Sequence, residues 1–168
     1  MKTHGFLKSQ KAQQSLHGHL YQLNNLRYLN LIKRIKKNEG FSSTSYKDQL
    51  GFLTIGYGHL ILPNEKHLTE TKLPKHKLEK IFLQDFKNAT KDYEKYLKKK
   101  TSNKKEEELL IEMVFQIGVK GVLRFRKLLN NMRKKNKHLV CFEMMNSLWY
   151  NQTPKRVKEL IKIFLKNE

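Results

Sequence analysis

The sequence predicts an α+β fold that is mostly helical and contains one small antiparallel sheet. Residues 39–62 intersperse glycines among aromatic and β-branched residues, a pattern typical of short strands joined by turns. Residues 74–97 repeat apolar side chains at a helical period, and most of the remaining sequence alternates helical stripes with short polar breaks. A chain of 168 residues is expected to form one domain, or two small lobes that share a helix.

The charge of the chain indicates partners rather than a fold. Thirty-five Lys and Arg residues stand against fifteen Asp and Glu residues, which gives a formal net charge of +20. Anionic envelope polymers, acidic membrane surfaces and nucleic acid all fit this charge, as does a solvated surface without a dedicated partner. The sequence shows no finger, stacking platform or base-reading helix, so we expect no specific nucleic-acid partner. A monomer is expected, because no heptad seam is present.

Cysteine and hydropathy exclude several classes of protein. Cys141 is the only cysteine, so an internal disulfide is excluded, and its apolar neighbours favour a buried hydrophobe over a nucleophile. His17 and His19 have no third ligand nearby, so no metal site is expected. No stretch approaches the roughly eighteen apolar residues that span a bilayer. No apolar segment of the secretory type follows Lys2, so we expect synthesis in the cytoplasm of the producing or host cell, without a standard signal peptide.

The first helix brings a carboxyl group to its end. Residues 1–28 are predicted to be a basic extension, frayed, loosely helical or disordered, while residues 20–38 place leucines and isoleucines at helical spacing. Gly40 is expected to end that helix, which leaves Glu39 where the helix dipole disfavours a carboxylate. Two remedies exist: a cationic partner, or a carboxyl that keeps its proton. The second is what a general acid needs.

The predicted sheet follows directly. Asp48 lies three residues before Gly51, where aspartate is common in hairpin turns, so by itself it indicates only a turn. Residues 51–62 are predicted to be strand and turn, ending at Pro63. Residues 64–73 are predicted to be a polar connection.

The rest of the chain predicts helices. Pro74 suits the first turn of a long helix that runs to about residue 97. Asn103 and Glu106 resemble a capping box, and the apolar stripe that follows is expected to end at Gly118. Shorter helices are predicted at 122–135 and 137–148. A last helix begins after Thr153 as N-cap; it is basic and amphipathic, which suits a membrane surface but more often covers a core.

Five blocks of the sequence, in this order, resemble the phage-type lysozymes, with the T-even phage branch nearest in pattern. The similarity covers about residues 29–165. The sequence departs from that branch at Asn38 and Leu50, each of which stands in place of an acid. The connection from Ile61 to Leu73 is also shorter and is expected to lack a short helix. The blocks are Glu39-Gly40, Tyr46-Lys47-Asp48, Thr54-Ile55-Gly56-Tyr57-Gly58-His59, Met113-Val114-Phe115-Gln116-Ile117-Gly118 and Trp149-Tyr150-Asn151-Gln152-Thr153-Pro154.

The resemblance implies a lysozyme-like architecture and an activity. A phage-type lysozyme domain would occupy 29–168, with a small β-hairpin lobe at about 38–73, a connecting helix at about 74–97 and a helical lobe at about 98–168. The implied activity is that of an endolysin-like muramidase, which hydrolyses the β-1,4 bonds between N-acetylmuramic acid and N-acetylglucosamine in peptidoglycan glycan strands, with inversion and without a cofactor. The alternative is a catalytically weak cationic protein on the same fold that binds walls or membranes.

The resemblance also assigns roles to individual residues. Inverting hydrolysis needs one protonated carboxyl for the leaving oxygen and one carboxylate for the attacking water. Glu39 is implied as the acid, Asp48 as the base and Thr54 as the hydroxyl that holds the water. Three further residues are implied to be structural supports: His59 and Asp85, which form an ion pair, and Arg156, which pairs with Glu39. Three others are implied to line the sugar cleft: Leu60, Phe115 and Gln116. Phe115 fits the core equally well. Trp149 is expected to pack the helical lobe rather than stack on sugar.

Overall fold

The computed structural model describes residues 26–48, 51–69 and 72–166. These ranges contain three strands, two short 3-10 helices and seven labelled α-helices. The helices are α1 Leu29–Glu39, α2 Lys75–Tyr96, α3 Lys104–Leu123, α4 Arg126–Arg133, α5 Lys137–Met145, α6 Leu148–Gln152 and α7 Pro154–Leu165; the strands are β1 Ser42–Lys47, β2 Leu53–Gly56 and β3 His59–Leu60; the 3-10 helices are Pro63–Leu68 and Lys98–Lys100. The α+β prediction is confirmed.

The chain divides into two compact units between Arg34 and Ile35, inside α1. In the first unit, the Arg27 guanidinium lies 5.2 Å from the centre of the Tyr28 ring. The predicted extension of residues 1–28, with His17 and His19, lies outside the described residues except for its last three positions.

The three strands form one antiparallel sheet in the order β1-β2-β3. Tyr46 pairs with Thr54 across β1 and β2, and Ile55 pairs with His59 across β2 and β3. Alternate residues of a strand point to opposite faces, so Ile55 and Thr54 face opposite sides. Ile55 turns inward and joins Leu68 and Leu78 in a small core.

The connection between sheet and long helix was expected to lack a short helix, and this was wrong. Pro63–Leu68 forms a 3-10 helix, with Pro63 in its first turn. The backbone N–H of Leu62 donates to Glu65 Oε2 at 3.0 Å, which satisfies a donor at the helix start. Leu68 is buried against Ile55 and Leu78. One apolar side chain and one capping acid are therefore enough to order this short connection.

Helix α2 has the bounds that its periodicity predicts, starting directly after Pro74. It packs extensively against α3, and it also contacts β2 and β3. It thus joins the sheet to the helices that follow it. Its buried face carries Leu78, Phe82, Phe86, Ala89 and Tyr93.

Helix α3 is interrupted at Gly118, where the sequence predicted an end. Gly118 has φ 69° and ψ 159°, which are not helical angles, so α3 consists of two helical stretches joined by a kink, the second of which ends at Leu123. A left-handed φ of this kind is easy only for glycine. The predicted helices at 122–135 and 137–148 are present with tighter bounds, as α4 and α5.

The last helix covers the core, as predicted. Val157, Leu160 and Phe164 of α7 are buried. Thr153 lies at the N-cap position, as predicted, but its side chain forms no capping bond. Its hydroxyl donates to the Trp149 carbonyl at 3.0 Å. Pro154 is the first residue of the helix and needs no partner for an N–H.

The N-terminus of α3 supplies a stability test. The Asn103 side chain accepts a hydrogen bond from the Glu106 N–H at 3.0 Å, while Glu106 Oε2 accepts from the Ser102 N–H at 2.6 Å. Asn103→Ala is expected to lower the free energy of unfolding by about 1 kcal/mol, because it removes the cap. Asn103→Asp, which keeps an acceptor, should lose much less. Urea denaturation of the three proteins measures this; equal stability of wild type and Asn103→Ala would contradict it.

Candidate active site

An ion pair fixes the carboxyl group at the end of α1. Glu39 is the last residue of that helix, and Arg156 Nη1 donates to its Oε1 at 2.8 Å. Both side chains are mostly buried, with 19% of Glu39 and 12% of Arg156 exposed. Of the two remedies considered for a carboxylate at a helix C-terminus, the structure contains the cationic partner. Because Arg156 contacts Oε1, a proton on the other oxygen, Oε2, remains compatible with this pairing. This is the pairing that the resemblance implied.

A glycine leaves room beside the other oxygen of this carboxyl group. A Cβ added to Gly58 would lie 3.1 Å from Glu39 Oε2. Gly58 also has φ 82°, a conformation that side chains disfavour. The turn between β2 and β3 therefore approaches Glu39 closely without covering it.

Asp48 follows β1 and is held by the turn that it starts. Its Oδ1 accepts the Phe52 N–H at 2.9 Å, and its own N–H donates to the Phe52 carbonyl at 2.9 Å. Phe52 therefore fixes the direction of the Asp48 carboxylate. The turn interpretation and a chemical role are compatible, because a carboxylate can accept several hydrogen bonds through its two oxygens.

Thr54 lies on β2 and is 4% exposed. Its hydroxyl donates to the Phe52 carbonyl at 3.3 Å. Since the proton is used in this contact, the oxygen lone pairs can accept from another donor. Thr54 is thus arranged to receive a hydrogen bond from water.

Tyr46 is a residue of this site that the sequence analysis did not select. It is the cross-strand partner of Thr54. Burial raises the pKa of its hydroxyl, and the nearby charges of Glu39 and Asp48 raise it further. Tyr46 therefore lies within the field of both acids and opposite the threonine. Its two-residue spacing from Asp48 on one strand face was the signal that could have revealed it.

His59 forms the predicted bond with Asp85 and a second bond that was not foreseen. Its Nδ1 lies 2.8 Å from Asp85 Oδ2, and its Nε2 lies 3.1 Å from Glu65 Oε2. The bond to Asp85 raises the pKa of His59, against the effect of burial, and Glu65 adds to the rise. The hydrogen bond from the Leu62 N–H holds the pKa of Glu65 below its usual value, and the bond and charge of His59 lower it further. This group connects β3, the Pro63–Leu68 helix and α2.

A second group fastens α1 one turn before Glu39. Lys36 forms an ion pair with Glu79 of α2, and its ammonium lies 5.1 Å from the centre of the Tyr57 ring and 4.8 Å from that of Phe82. The Tyr57 hydroxyl donates to Glu79 Oε1 at 2.7 Å. Burial and then Glu79 raise the pKa of Tyr57 to about 12. The sequence analysis missed this group, because its members are distant in the chain.

The residues predicted to line the sugar cleft are only partly brought together. Leu60 and Phe115 border one open hollow of about 330 Å³, together with His59 and Asp85. Gln116 is not among its lining residues; its Oε1 accepts the indole N–H of Trp149 at 2.8 Å.

Trp149 and Cys141 belong to the interior. Trp149 is buried. It packs against the Phe125 ring in an edge-to-face arrangement. Cys141 is buried too, and burial raises the pKa of its thiol. The packing interpretations of both residues are confirmed.

Metal and membrane-spanning features are not found in the described ranges. Within residues 26–48, 51–69 and 72–166, no group of three or more His, Cys, Asp or Glu residues could hold a metal ion. No helix in these ranges combines the length and the apolar character needed to cross a membrane.

Two acids and a buried hydroxyl lie beside a small sheet that a long helix joins to a helical region, an arrangement that suits a glycoside hydrolase of the lysozyme type. The sequence matches the Phage lysozyme family over residues 36–162, and the chain therefore belongs to the phage lysozyme family.

Relatives span nearly the whole domain. The chain is 32% identical over 152 residues to "Probable T4-type lysozyme 1" of Dictyostelium discoideum, covering 77% of this chain and 89% of that protein. It is 30% identical over 155 residues to "Probable T4-type lysozyme 2" of the same organism, covering 77% and 90%. It is also 24% identical over 159 residues to "Pre-baseplate central spike protein Gp5" of Enterobacteria phage T4, covering 82% of this chain and 28% of that protein.

The histidine group predicts a pH-dependent contribution to stability. A raised His59 pKa stabilises the fold fully below the ordinary histidine value of 6.5, and this contribution is lost as pH rises through the folded-state pKa. The lowered Glu65 pKa stabilises the fold at pH values above 4.5, the ordinary pKa of a glutamate. This contribution is lost as the pH falls through the folded-state pKa. The stability difference between wild type and His59→Gln should thus be largest between about pH 4.5 and 6.5 and shrink above it. Denaturant titrations across pH measure it; a difference that grows at alkaline pH would contradict the assignment.

Substitution of Gly58 is predicted to lower activity by more than the accompanying backbone strain would. Gly58→Ala places a methyl group against Glu39 Oε2, so peptidoglycan hydrolysis should fall by at least about tenfold, roughly the effect of a small misplacement of a catalytic group. Gly118→Ala is the matched control: its φ is 69°, and a Cβ there meets nothing within 4 Å. Both variants should lose similar stability. Equal activity of the two variants would contradict the inference.

Proposed function

We propose that this member of the phage lysozyme family is an inverting muramidase that lyses bacterial walls. Its substrate would be the β-1,4 bond between N-acetylmuramic acid and N-acetylglucosamine in peptidoglycan. The observation that carries the proposal is the position of Glu39, which lies between Arg156 and Gly58. The charges of Glu39 and Asp48 both act on the Tyr46 hydroxyl. That both charges reach Tyr46 supports a shared site for the two carboxyl groups beside the sheet.

In the proposed reaction, Glu39 acts as the general acid. Its carboxyl proton passes to the glycosidic oxygen as the bond from that oxygen to the anomeric carbon breaks. Arg156 occupies Oε1, so Oε2, on the open Gly58 side, is the oxygen expected to meet the substrate. Arg156 acts as a positioning residue, because it holds the carboxyl group without touching the reacting bond.

Asp48 acts as the base in this proposal. It takes a proton from a water molecule, whose oxygen attacks the anomeric carbon on the face opposite the leaving group. Phe52 holds the Asp48 carboxylate in one direction, and the Thr54 oxygen accepts a hydrogen bond from the same water. The product then has the inverted configuration.

Substrate contacts follow from the hollow beside His59. Leu60 and Phe115 offer apolar surface there, and Tyr46 offers a half-exposed ring next to both acids. We propose that these three side chains contact the glycan strand. Gln116 contributes to this surface only if it leaves its bond with Trp149.

The proposed place of action is the bacterial cell wall. Peptidoglycan glycan strands are the substrate that membership of the family implies, and a net charge of +20 favours approach to an anionic wall. The cationic, non-enzymatic alternative drew on the net charge and on the terminal helix. In α7, Val157, Leu160 and Phe164 are buried, whereas Leu165 is 38% exposed. Most of the apolar stripe of that helix is therefore covered, and the helix gives the alternative little support.

The acid assignment predicts a loss of turnover without a loss of fold. Glu39→Gln keeps the shape and the hydrogen bond from Arg156 but has no carboxyl proton to donate, so release of reducing ends from purified peptidoglycan should fall by about 10²–10⁴-fold. Urea denaturation and binding to insoluble peptidoglycan should change little. Wall hydrolysis by Glu39→Gln at the wild-type rate would overturn the proposal.

The hydroxyl assignment has its own matched pair. Thr54→Val keeps the shape but removes the acceptor for water, so turnover should fall by at least about tenfold. Thr54→Ser keeps the hydroxyl and should retain most activity. If both variants lose the same activity and the same stability, Thr54 supports the sheet and does not hold the water.

A further inference from the structure

Helix α5 is apolar on both of its sides, although only one side is covered. Val140, Cys141 and Met144 face the core and are buried. Leu139, Phe142 and Met145 belong to the same nine-residue helix and are 44%, 53% and 48% exposed. The helix also carries Lys137, His138 and Glu143, but large apolar side chains on a helix of a globular protein usually face its core. The three exposed ones on α5 therefore need an explanation.

These exposed side chains continue into the next helix. Leu148, the first residue of α6, is 78% exposed. Together the four residues form what we call the α5 stripe: Leu139, Phe142, Met145 and Leu148. Single exposed apolar residues are normal, but a contiguous set of large ones marks an interaction surface.

The surroundings of the α5 stripe are strongly basic. The sequence from Met113 to Phe142 contains no Asp or Glu. Just before the stripe come exposed cations that form no ion pair with any described residue: Arg133, Lys134, Lys135 and Lys137. At its other end, Leu148 borders a hollow of about 540 Å³ that is also lined by Arg124, Arg126 and Lys127, with Glu143 as its only acid.

Charge decides which partner suits this surface. A second copy of the chain would bring the same cations against it and be repelled. A peptidoglycan glycan strand offers no apolar phase for Phe142 and Leu148. The surface of a bilayer with anionic headgroups offers both an apolar phase and negative charge, which is what basic amphipathic elements bind.

We propose that the α5 stripe and its basic flank bind the surface of an anionic phospholipid bilayer. Phe142 and Leu148 enter the boundary between headgroups and acyl chains, while Lys134 and Lys137 remain with the phosphates. The contact is peripheral and spans nothing. It uses a different helix from α7, whose apolar face is covered, and it is independent of the muramidase proposal.

The test measures binding to vesicles by co-sedimentation. Vesicles of phosphatidylcholine with about one-third phosphatidylglycerol should retain the wild type, whereas vesicles of pure phosphatidylcholine should retain far less; rising salt should weaken retention. Phe142→Ser combined with Leu148→Ser should bind at least about tenfold more weakly, because two large apolar side chains no longer leave water. The control Tyr96→Ser, which removes an exposed ring from the end of α2, should bind as the wild type does.

A second pair of variants isolates the charge. Lys134→Gln with Lys137→Gln should weaken binding by about tenfold or more, since each cation near an anionic surface contributes to it. Lys91→Gln with Lys99→Gln has the same net charge, removes exposed lysines elsewhere and should bind more tightly than the first pair.

Several outcomes would overturn the inference. One is wild-type binding by the Phe142→Ser, Leu148→Ser protein; another is equal retention by both vesicle types. A dimer in sedimentation equilibrium that dissociates in the same variant would identify a second copy as the partner. Glu39→Gln should bind vesicles as the wild type does, and the stripe variants should still hydrolyse purified peptidoglycan, so failure of either proposal is distinguishable from failure of the other.

Discussion

The ion pair of Glu39 with Arg156 is the interaction on which the site depends. A carboxylate at the C-terminus of a helix is disfavoured by the helix dipole, and partial burial adds to the cost. A guanidinium at 2.8 Å offsets both effects and also fixes the direction of the carboxyl group. Because Arg156 lies near the start of α7, the last helix of the chain positions the end of the first described one. Removing either partner would leave the other partly buried without its counter-charge.

The groups around this pair hold the same helix end from other directions. Lys36 fastens α1 to α2 through Glu79 and to the turn after β2 through Tyr57. His59 fastens β3 to α2 through Asp85. Gly58 lies between these two anchors, and it is there that the chain approaches Glu39 Oε2. Sheet, long helix and last helix thus meet around a single carboxyl group, which agrees with the role proposed for it.

Local features of the fold could be predicted from the pattern of residues, whereas contacts between distant residues were either implied by the family resemblance, as for Glu39 with Arg156, or missed. Periodicity gave α2 within a residue at each end, and the alternation of glycine and β-branched residues located the sheet. Gly118 interrupts α3 where the sequence predicted an end, because its positive φ suits glycine. The Lys36–Glu79–Tyr57 group could not be foreseen, since Lys36 and Glu79 lie 43 positions apart. The α5 stripe escaped notice for another reason: in a short helix with many apolar residues, the pattern does not show which of them are covered.

The account makes one claim more specific than membership of a family, namely that Glu39 and Asp48 act as an acid and a base with a water between them. The most direct measurement is the configuration of the newly formed reducing end, followed by proton NMR in the first minutes of hydrolysis of a soluble glycan strand. Inversion at a β-linked sugar predicts that the α-anomer appears first and then equilibrates. Initial formation of the β-anomer would mean that a side chain attacks the sugar directly, and it would contradict the roles proposed for Asp48 and Thr54.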